Sequence, residues 1–171
     1  LAFCYVYGRG VETDTKKALS LFREAAAAGL PMAQFKYGEM IEEGNEPGLG
    51  LADAIKWYEK SAAGSCSQAL FKLGVMKYEG IGFEKSMKDA AECFFKAAKL
   101  GYPRAQYNLA CMFLDGAGNS LAKDESAAFY WFTQAAVRGD ANAQRRLAVC
   151  FFEGIGTDRS YSKGMEWLRK A

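Results

Sequence analysis

Histidine is absent from all 171 residues of the chain. That excludes imidazole metal sites, Ser-His-Asp and Cys-His catalysis, and pH switching by a histidine charge. No run of 18 apolar residues occurs, so no segment reads as a membrane-spanning helix. Charge of one sign is lacking too: 22 basic and 20 acidic side chains leave a net charge of +2. Without a dense Lys/Arg run there is no electrostatic footprint for nucleic acid. The five cysteines are Cys4, Cys66, Cys93, Cys111 and Cys150. They form no C-x-x-C pair and are odd in number, which argues against a metal site or a disulfide framework. They read as small buried hydrophobes, and they favour a reducing compartment such as the cytoplasm. Cys93 is expected to be buried and inert, and Cys66, in a turn, to be the exposed thiol.

What is present is a repeat. An apolar residue followed by a small one recurs at Leu1-Ala2, Tyr37-Gly38, Leu73-Gly74, Leu109-Ala110 and Leu147-Ala148. A bulky position recurs at Leu21, Trp57, Cys93, Trp131 and Trp167. Both series step by 36 residues, with one step of 38. The shared two-residue insertion falls within 110–131, and 118–122 is its expected place. A period of this size is the signature of a solenoid.

Each unit carries two helical stripes. Ala33, Tyr37 and Ile41 lie on one face of a first helix, A. Ala18, Leu21, Phe22, Ala25 and Ala26 lie on one face of a second, B. No segment alternates as a strand would. Helix A stops at Gly8, Gly44, Gly80, Gly116 and Gly154. Helix B stops at Gly29, Gly64, Gly101 and Gly139, where a left-handed residue is cheap. Asp14, Gly50, Ser86, Asp124 and Ser160 stand where helix B starts, and all but the glycine are good N-caps. Asp14 and Asp124 therefore read as caps and not as a catalytic carboxylate pair. The Gly-x-Gly pairs 8/10, 80/82, 116/118 and 154/156 follow helices and recur with the period, so they read as turns, not as a phosphate loop. The three tryptophans read as core.

The run from Gly8 through Asp14, Ala18, Glu24-Ala25-Ala26 and Gly29 to Ala33-Gln34 and Tyr37-Gly38 resembles the Sel-one-like repeat, a relative of the tetratricopeptide repeat. Further copies read Lys96-Ala97-Ala98, Gly101, Ala105-Gln106 and Leu109, then Gln134-Ala135-Ala136, Gly139, Ala143-Gln144 and Leu147. The resemblance implies an all-α solenoid, a right-handed superhelix of antiparallel helix hairpins. It also implies a scaffold or adaptor function, with no catalysis and no cofactor. The units are expected at 1–29, 30–65, 66–101, 102–139 and 140–171, with the first and last partial. Uncapped ends point to further repeats or a cap beside them. Leu70 departs from the family's Ala-Gln pair, and Lys77 stands on an otherwise apolar ridge, where it should reach the rim or an acidic partner.

In the tetratricopeptide relatives the remaining helix-A face lines a concave groove. Here that face is largely aromatic and aliphatic, and either it binds a partner or the stacking of neighbouring repeats buries it. Tyr7, Glu43, Glu79, Asp115 and Glu153 form a second stripe at the helix-A ends. Acidic residues oppose the helix dipole there. They either pair with Lys or Arg on adjacent helices or form a rim selecting a basic segment. The candidate partner-binding residues are Phe35, Glu39, Phe71, Val75, Tyr78, Glu79, Tyr107, Asp115 and Phe152. The expected partner is another protein, an extended peptide or a helix of basic and apolar character. Nucleic acid and direct membrane insertion are not expected. The alternatives are self-association through the uncapped ends and, behind it, a carboxylate-based hydrolase. The latter would need a polar constellation breaking the period, near Lys77 or Asn119.

Overall fold

The apolar stripes become helices whose starts and stops follow the capping chemistry. A computed structural model describes residues 1–116 and 121–171. The expected insertion at 118–122 and the site near Asn119 lie largely outside the described residues. Those residues hold ten helices: α1 Ala2–Tyr7, α2 Thr15–Ala27, α3 Pro31–Glu42, α4 Leu51–Ala63, α5 Ser67–Glu79, α6 Met87–Lys99, α7 Pro103–Asp115, α8 Glu125–Val137, α9 Ala141–Glu153 and α10 Tyr161–Lys170. Among them there is no strand, and no helix is long and apolar enough to cross a membrane. The odd-numbered helices are the A helices and the even-numbered ones the B helices. The fold is all-α, of the α-solenoid class.

Asp14, Ser86, Asp124 and Ser160 each accept a hydrogen bond from the backbone N–H three residues on, capping α2, α6, α8 and α10. Each cap contributes about 1 kcal/mol. At α4 the glycine cannot accept one, and Asp53 instead accepts from the Gly50 N–H at 3.3 Å. Gly8, Gly44, Gly80, Gly116 and Gly154 close the A helices with φ between 64° and 82°. The second members Gly10, Gly82 and Gly156 are left-handed as well, so these Gly-x-Gly pairs are turn chemistry.

One B-helix stop differs from expectation. Gly29, Gly101 and Gly139 are left-handed, whereas Gly64 has φ −79° and the left-handed residue is Ser65 at φ 61°. Gly64 is small for another reason: a Cβ there would lie 2.5 Å from Pro31 Cγ.

The core also sits one residue away from where the tryptophans place it. Trp57, Trp131 and Trp167 are only half-buried. Their outer parts meet Lys60, Phe95 and Lys170. In α10 Trp167 itself packs against the core while Leu168 is exposed, whereas in α2, α4, α6 and α8 the inward position is the next one along, with Phe22, Tyr58, Phe94 and Phe132 all buried. Each is flanked four residues away on both sides by alanine: Ala18 and Ala26 for Phe22, Ala90 and Ala98 for Phe94. In two hairpins the ring is seated directly against the small helix-A residue. A Cβ on Gly38 would come within 2.8 Å of Tyr58 Cε1, and one on Gly74 within 2.7 Å of Phe94 Cε1. Close packing of this kind leaves no room for a methyl group without displacing the ring.

Buried glutamines tie successive hairpins together. Gln34, Gln106 and Gln144 each donate from Nε2 to a helix-B carbonyl eight residues earlier. The acceptors are Ala26 at 3.3 Å, Ala98 at 3.0 Å and Ala136 at 3.1 Å. Lys77 neither pairs with an acid nor simply extends to water; its ammonium lies 5.5 Å from the Phe83 ring centre. The chain divides into two compact units, Leu1–Leu73 and Gly74–Ala171.

Candidate functional site

Within the second unit, α5, α6 and α7 enclose a cavity of about 280 Å³. Helical spacing explains which residues reach it. Val75, Tyr78 and Glu79 lie at i, i+3 and i+4 on α5, and Asn108, Cys111, Met112 and Asp115 at i, i+3, i+4 and i+7 on α7. Phe94 of α6 closes the floor, and Met87, at the exposed start of the same helix, lines the edge. Tyr78 is 42 % exposed and Glu79 and Asp115 are exposed, whereas Met112 and Phe94 are buried. The cavity thus has an apolar base and an acidic mouth.

Four of the nine candidate residues, Val75, Tyr78, Glu79 and Asp115, converge on this one place. Two more lie elsewhere in the same unit. Tyr107 is half-buried against Phe132, with ring centres 5.7 Å apart. Burial pushes its phenol above the ordinary value, against the opposing pull of Arg146. Phe152 is half-buried against Tyr161 and fills the space a Cβ on Gly164 would need.

The first unit departs from expectation more sharply. Phe35 is 7 % exposed and packs on Tyr58, so it is a packing residue and cannot anchor a partner. Glu39 is held by Lys36 at 2.6 Å. Both line a second cavity, of about 420 Å³, together with Phe3, Val6, Tyr7 and Glu43. The charge of Glu39 is therefore balanced within the chain. Phe71 is half-buried.

Among the described residues the acidic stripe does not pair with basic residues of adjacent helices. None of Glu43, Glu79, Asp115 and Glu153 forms a salt bridge among the described residues. Glu43 accepts only from the Asn45 amide, at 3.1 Å. At α9 the compensation goes to the backbone instead: Arg159 Nε donates to the Glu153 carbonyl at 3.0 Å. Bridges form at neighbouring positions instead, as in Lys72–Glu42 at 2.9 Å, one residue before Glu43, and Arg23–Glu46 at 3.6 Å, three residues after it.

The thiols follow burial. Cys66 is 7 % exposed, not the exposed thiol its turn position suggests, because the chain folds back there into α5. Cys93 and Cys150 are buried, and desolvation pushes both thiols up, Cys150 to about 11. Cys111, on the cavity wall, is pushed up by burial against the opposing effects of Tyr107 and Arg146. None of these last three is poised as a thiolate nucleophile. Among the described residues, no cluster of three or more His, Cys, Asp or Glu side chains could hold a metal ion.

Residues missed by sequence reasoning are Met87, Phe94, Asn108 and Met112. Only the helical period could have indicated the α7 pair, since Asn108 and Met112 flank the marked small residue Ala110. Met87 comes from the start of a B helix, and nothing in its own repeat position marks it.

Residues 1–30, 31–66, 67–102, 103–140 and 141–171 each match the Sel1 repeat. A Sel1 repeat protein from Oxalobacter formigenes is 30% identical, over 99% of this chain and 68% of its own, with a TM-score of 0.89. A protective antigen of uropathogenic Escherichia coli with an SLR fold is 28% identical over 98% of this chain, with a TM-score of 0.56; the match covers 43% of that antigen. An immunity protein from Pseudomonas aeruginosa shares the fold, with a TM-score of 0.69 at 21% identity, over 99% of this chain and 64% of its own. No curated protein matches the chain. Sel1 repeat proteins generally mediate protein–protein interaction and are typically non-catalytic scaffolds. With five matching repeats from the first residue to the last, and hairpins that superpose on a known member, the chain belongs to the Sel1 repeat family.

Proposed function

We propose that this chain is a non-catalytic interaction module, and that its second unit holds a segment of a partner protein, peptide or helix, on the A-helix side chains around Val75, Tyr78, Glu79 and Asp115. The observation that carries this reading is their convergence on one open cavity between three helices. Buried apolar walls supply affinity by desolvation, and an exposed aromatic at the edge is the residue type that dominates binding energy at protein interfaces. Tyr107 and Phe152, half-buried on the neighbouring A helices, brace this face more than they contact a partner.

The test is selection of binders from a random-peptide display library on the purified chain, with Tyr78→Ala and the double variant Glu79→Lys/Asp115→Lys as counter-targets. Enriched peptides should carry basic and apolar residues and lose about tenfold or more in affinity to each variant, the effect of removing one interface anchor. Recovery of no peptide above background, or of peptides indifferent to both variants, removes the proposal. Melting curves of the variants confirm that the fold is intact, since the substituted side chains are exposed.

A further inference from the structure

The chemistry of the α5–α7 cavity narrows what enters it. Its mouth carries two carboxylates, Glu79 and Asp115, and neither has an ion-pair partner among the described residues. Asn108 lines the same space and makes no side-chain hydrogen bond among the described residues. Ionised carboxylates only accept hydrogen bonds, and an amide oxygen accepts as well. Below them the wall is hydrocarbon and sulfur, Val75, Phe94 and Met112, with the exposed Met87 at its edge. Tyr78 stands at the edge, and its ring already attracts a cation, Lys85 Nζ lying 5.7 Å from its centre.

Three kinds of occupant can be weighed. A purely apolar side chain would satisfy the base but strip water from two unpaired carboxylates, a penalty that outweighs its burial. An acidic one is repelled. A long cationic side chain fits both halves, its methylenes on the apolar wall and its charge at the mouth. Between the two cations, a planar guanidinium presents five donors in a fork. It can serve both carboxylates and the Asn108 oxygen while stacking on the Tyr78 ring. An ammonium offers three donors from a single point and is more strongly hydrated.

We infer that the cavity formed by Val75, Tyr78, Glu79, Phe94, Met112 and Asp115 is a receptor for one arginine side chain of a partner protein. The inference rests on the reading of this face as partner-binding and adds the identity of the anchor. The basic groups nearest the mouth do not fill the role. Lys85 sits on the Tyr78 face, and Arg146 is drawn first to the Tyr107 phenol and only weakly to Asp115, with which it forms no ion pair.

Two methionines of the wall provide the readout. The full chain, labelled with carbon-13 at its six methionine methyl groups, is titrated with N-acetyl-arginine methylamide and observed by NMR. The Met87 and Met112 signals should move while Met32, on α3, stays fixed. The lysine analogue should bind several-fold more weakly. The citrulline analogue, with the same shape and no charge, should bind about tenfold more weakly, as should arginine to Glu79→Gln/Asp115→Asn. Equal shifts with citrulline, indifference to the double variant, or no movement of Met87 and Met112 would overturn the arginine site. Failure here with display peptides that still depend on Tyr78 removes only the anchor. Arginine binding with no selectable peptide removes only the interaction-module reading.

Discussion

Helix α4 and the turn behind it differ from the B helices α2, α6 and α8 at four places, and the differences form one pattern. After α2, α6 and α8 the chain turns through a left-handed glycine, and a glutamine eight residues past a helix-B alanine donates to that alanine's carbonyl. After α4 the left-handed residue is Ser65, and Leu70, buried, replaces the glutamine. The Ala62 carbonyl keeps only its turn partner, the Ser65 N–H at 2.9 Å. The polar groups reappear on the opposite side. Ser61 stands where Ala25, Ala97 and Ala135 are found, and its hydroxyl donates to the Pro31 carbonyl at 2.6 Å. Tyr58 stands where three phenylalanines are found, and its hydroxyl donates to Glu42 at 2.5 Å. Elsewhere the side-chain anchor ties a B helix to the A helix that follows. In α4 it ties the B helix back to α3, its own hairpin partner. A repeat can thus move its polar anchors from the inter-hairpin to the intra-hairpin contact without losing the period.

Tyr58→Phe should break this arrangement most strongly. It turns α4 into a copy of α2, α6 and α8 at that position but leaves Glu42 with Lys72 alone. The cost should be about 1.5 kcal/mol, the low end for a hydrogen bond to a charged group, because Glu42 is partly open to water. Burial tends to raise the Glu42 carboxyl, but Lys72 and Tyr58 overcome this and hold it below its ordinary value of 4.5. A lowered folded value means the contribution is complete above the ordinary carboxylate range and is lost as pH falls through the folded value. Urea unfolding of both proteins should therefore show a gap at neutral pH that closes in acid; a gap independent of pH would place the effect in packing alone.

Leu70→Gln restores the missing inter-hairpin anchor, yet it should destabilise by about 1 kcal/mol. The regained hydrogen bond contributes about 1 kcal/mol, and the buried leucine that it replaces contributes more, about 1.5–3. An unchanged or raised denaturation midpoint would show that the glutamine, and not the apolar contact, is the better solution at this turn.

Ser65→Gly removes a non-glycine residue from the left-handed region and should raise stability by about 1 kcal/mol. A thermal melt shifted upward by a few degrees is the expected sign, and a downward shift would mean that the serine makes a compensating contact.

Gln106→Leu makes the reverse exchange, giving the turn after α6 the sequence of the turn after α4. By the same balance it should stabilise, and its effect should be the smallest, about 0.5 kcal/mol, because the leucine enters a space shaped around an amide. The Ala98 carbonyl keeps its bond from the Gly101 N–H at 2.9 Å, and the Gln106 Oε1 that is lost has no partner of its own. Amide exchange at Tyr102 and Gly101 would report whether loss of the anchor loosens the turn.

Much of this architecture was legible in the residues because it depends on local chemistry. Asp14, Ser86, Asp124 and Ser160 cap helices by their own side chains, and the A-helix glycines are left-handed because the turn demands it. The period located every hairpin. It could not decide which of two adjacent bulky residues faces inward, and so the tryptophans were placed in the core that Tyr58, Phe94 and Phe132 occupy. A shift of one residue turns a helical side chain by about 100°, too little to separate from sequence spacing alone when both positions are large. The same ambiguity put Phe35 on the surface, although its ring meets Tyr58 from the neighbouring helix. For the site, helical offsets placed Val75, Tyr78, Glu79 and Asp115 on one face, and all four line one cavity. The wall contributed by Met87 and Phe94 belongs to a third helix, and its approach depends on packing that no spacing rule encodes.

The contact between Gly38 and Tyr58, and between Gly74 and Phe94, has a consequence for how such chains grow. Both partners of each contact belong to one hairpin, twenty residues apart. An array lengthened or shuffled by breaks in the loops between hairpins keeps each ring with the hollow that fits it. A crossover inside a hairpin could set an alanine such as Ala110 opposite a ring seated against glycine. The loops between hairpins are thereby the places where such a gene can be lengthened without displacing a ring, a limit set by the width of one methyl group.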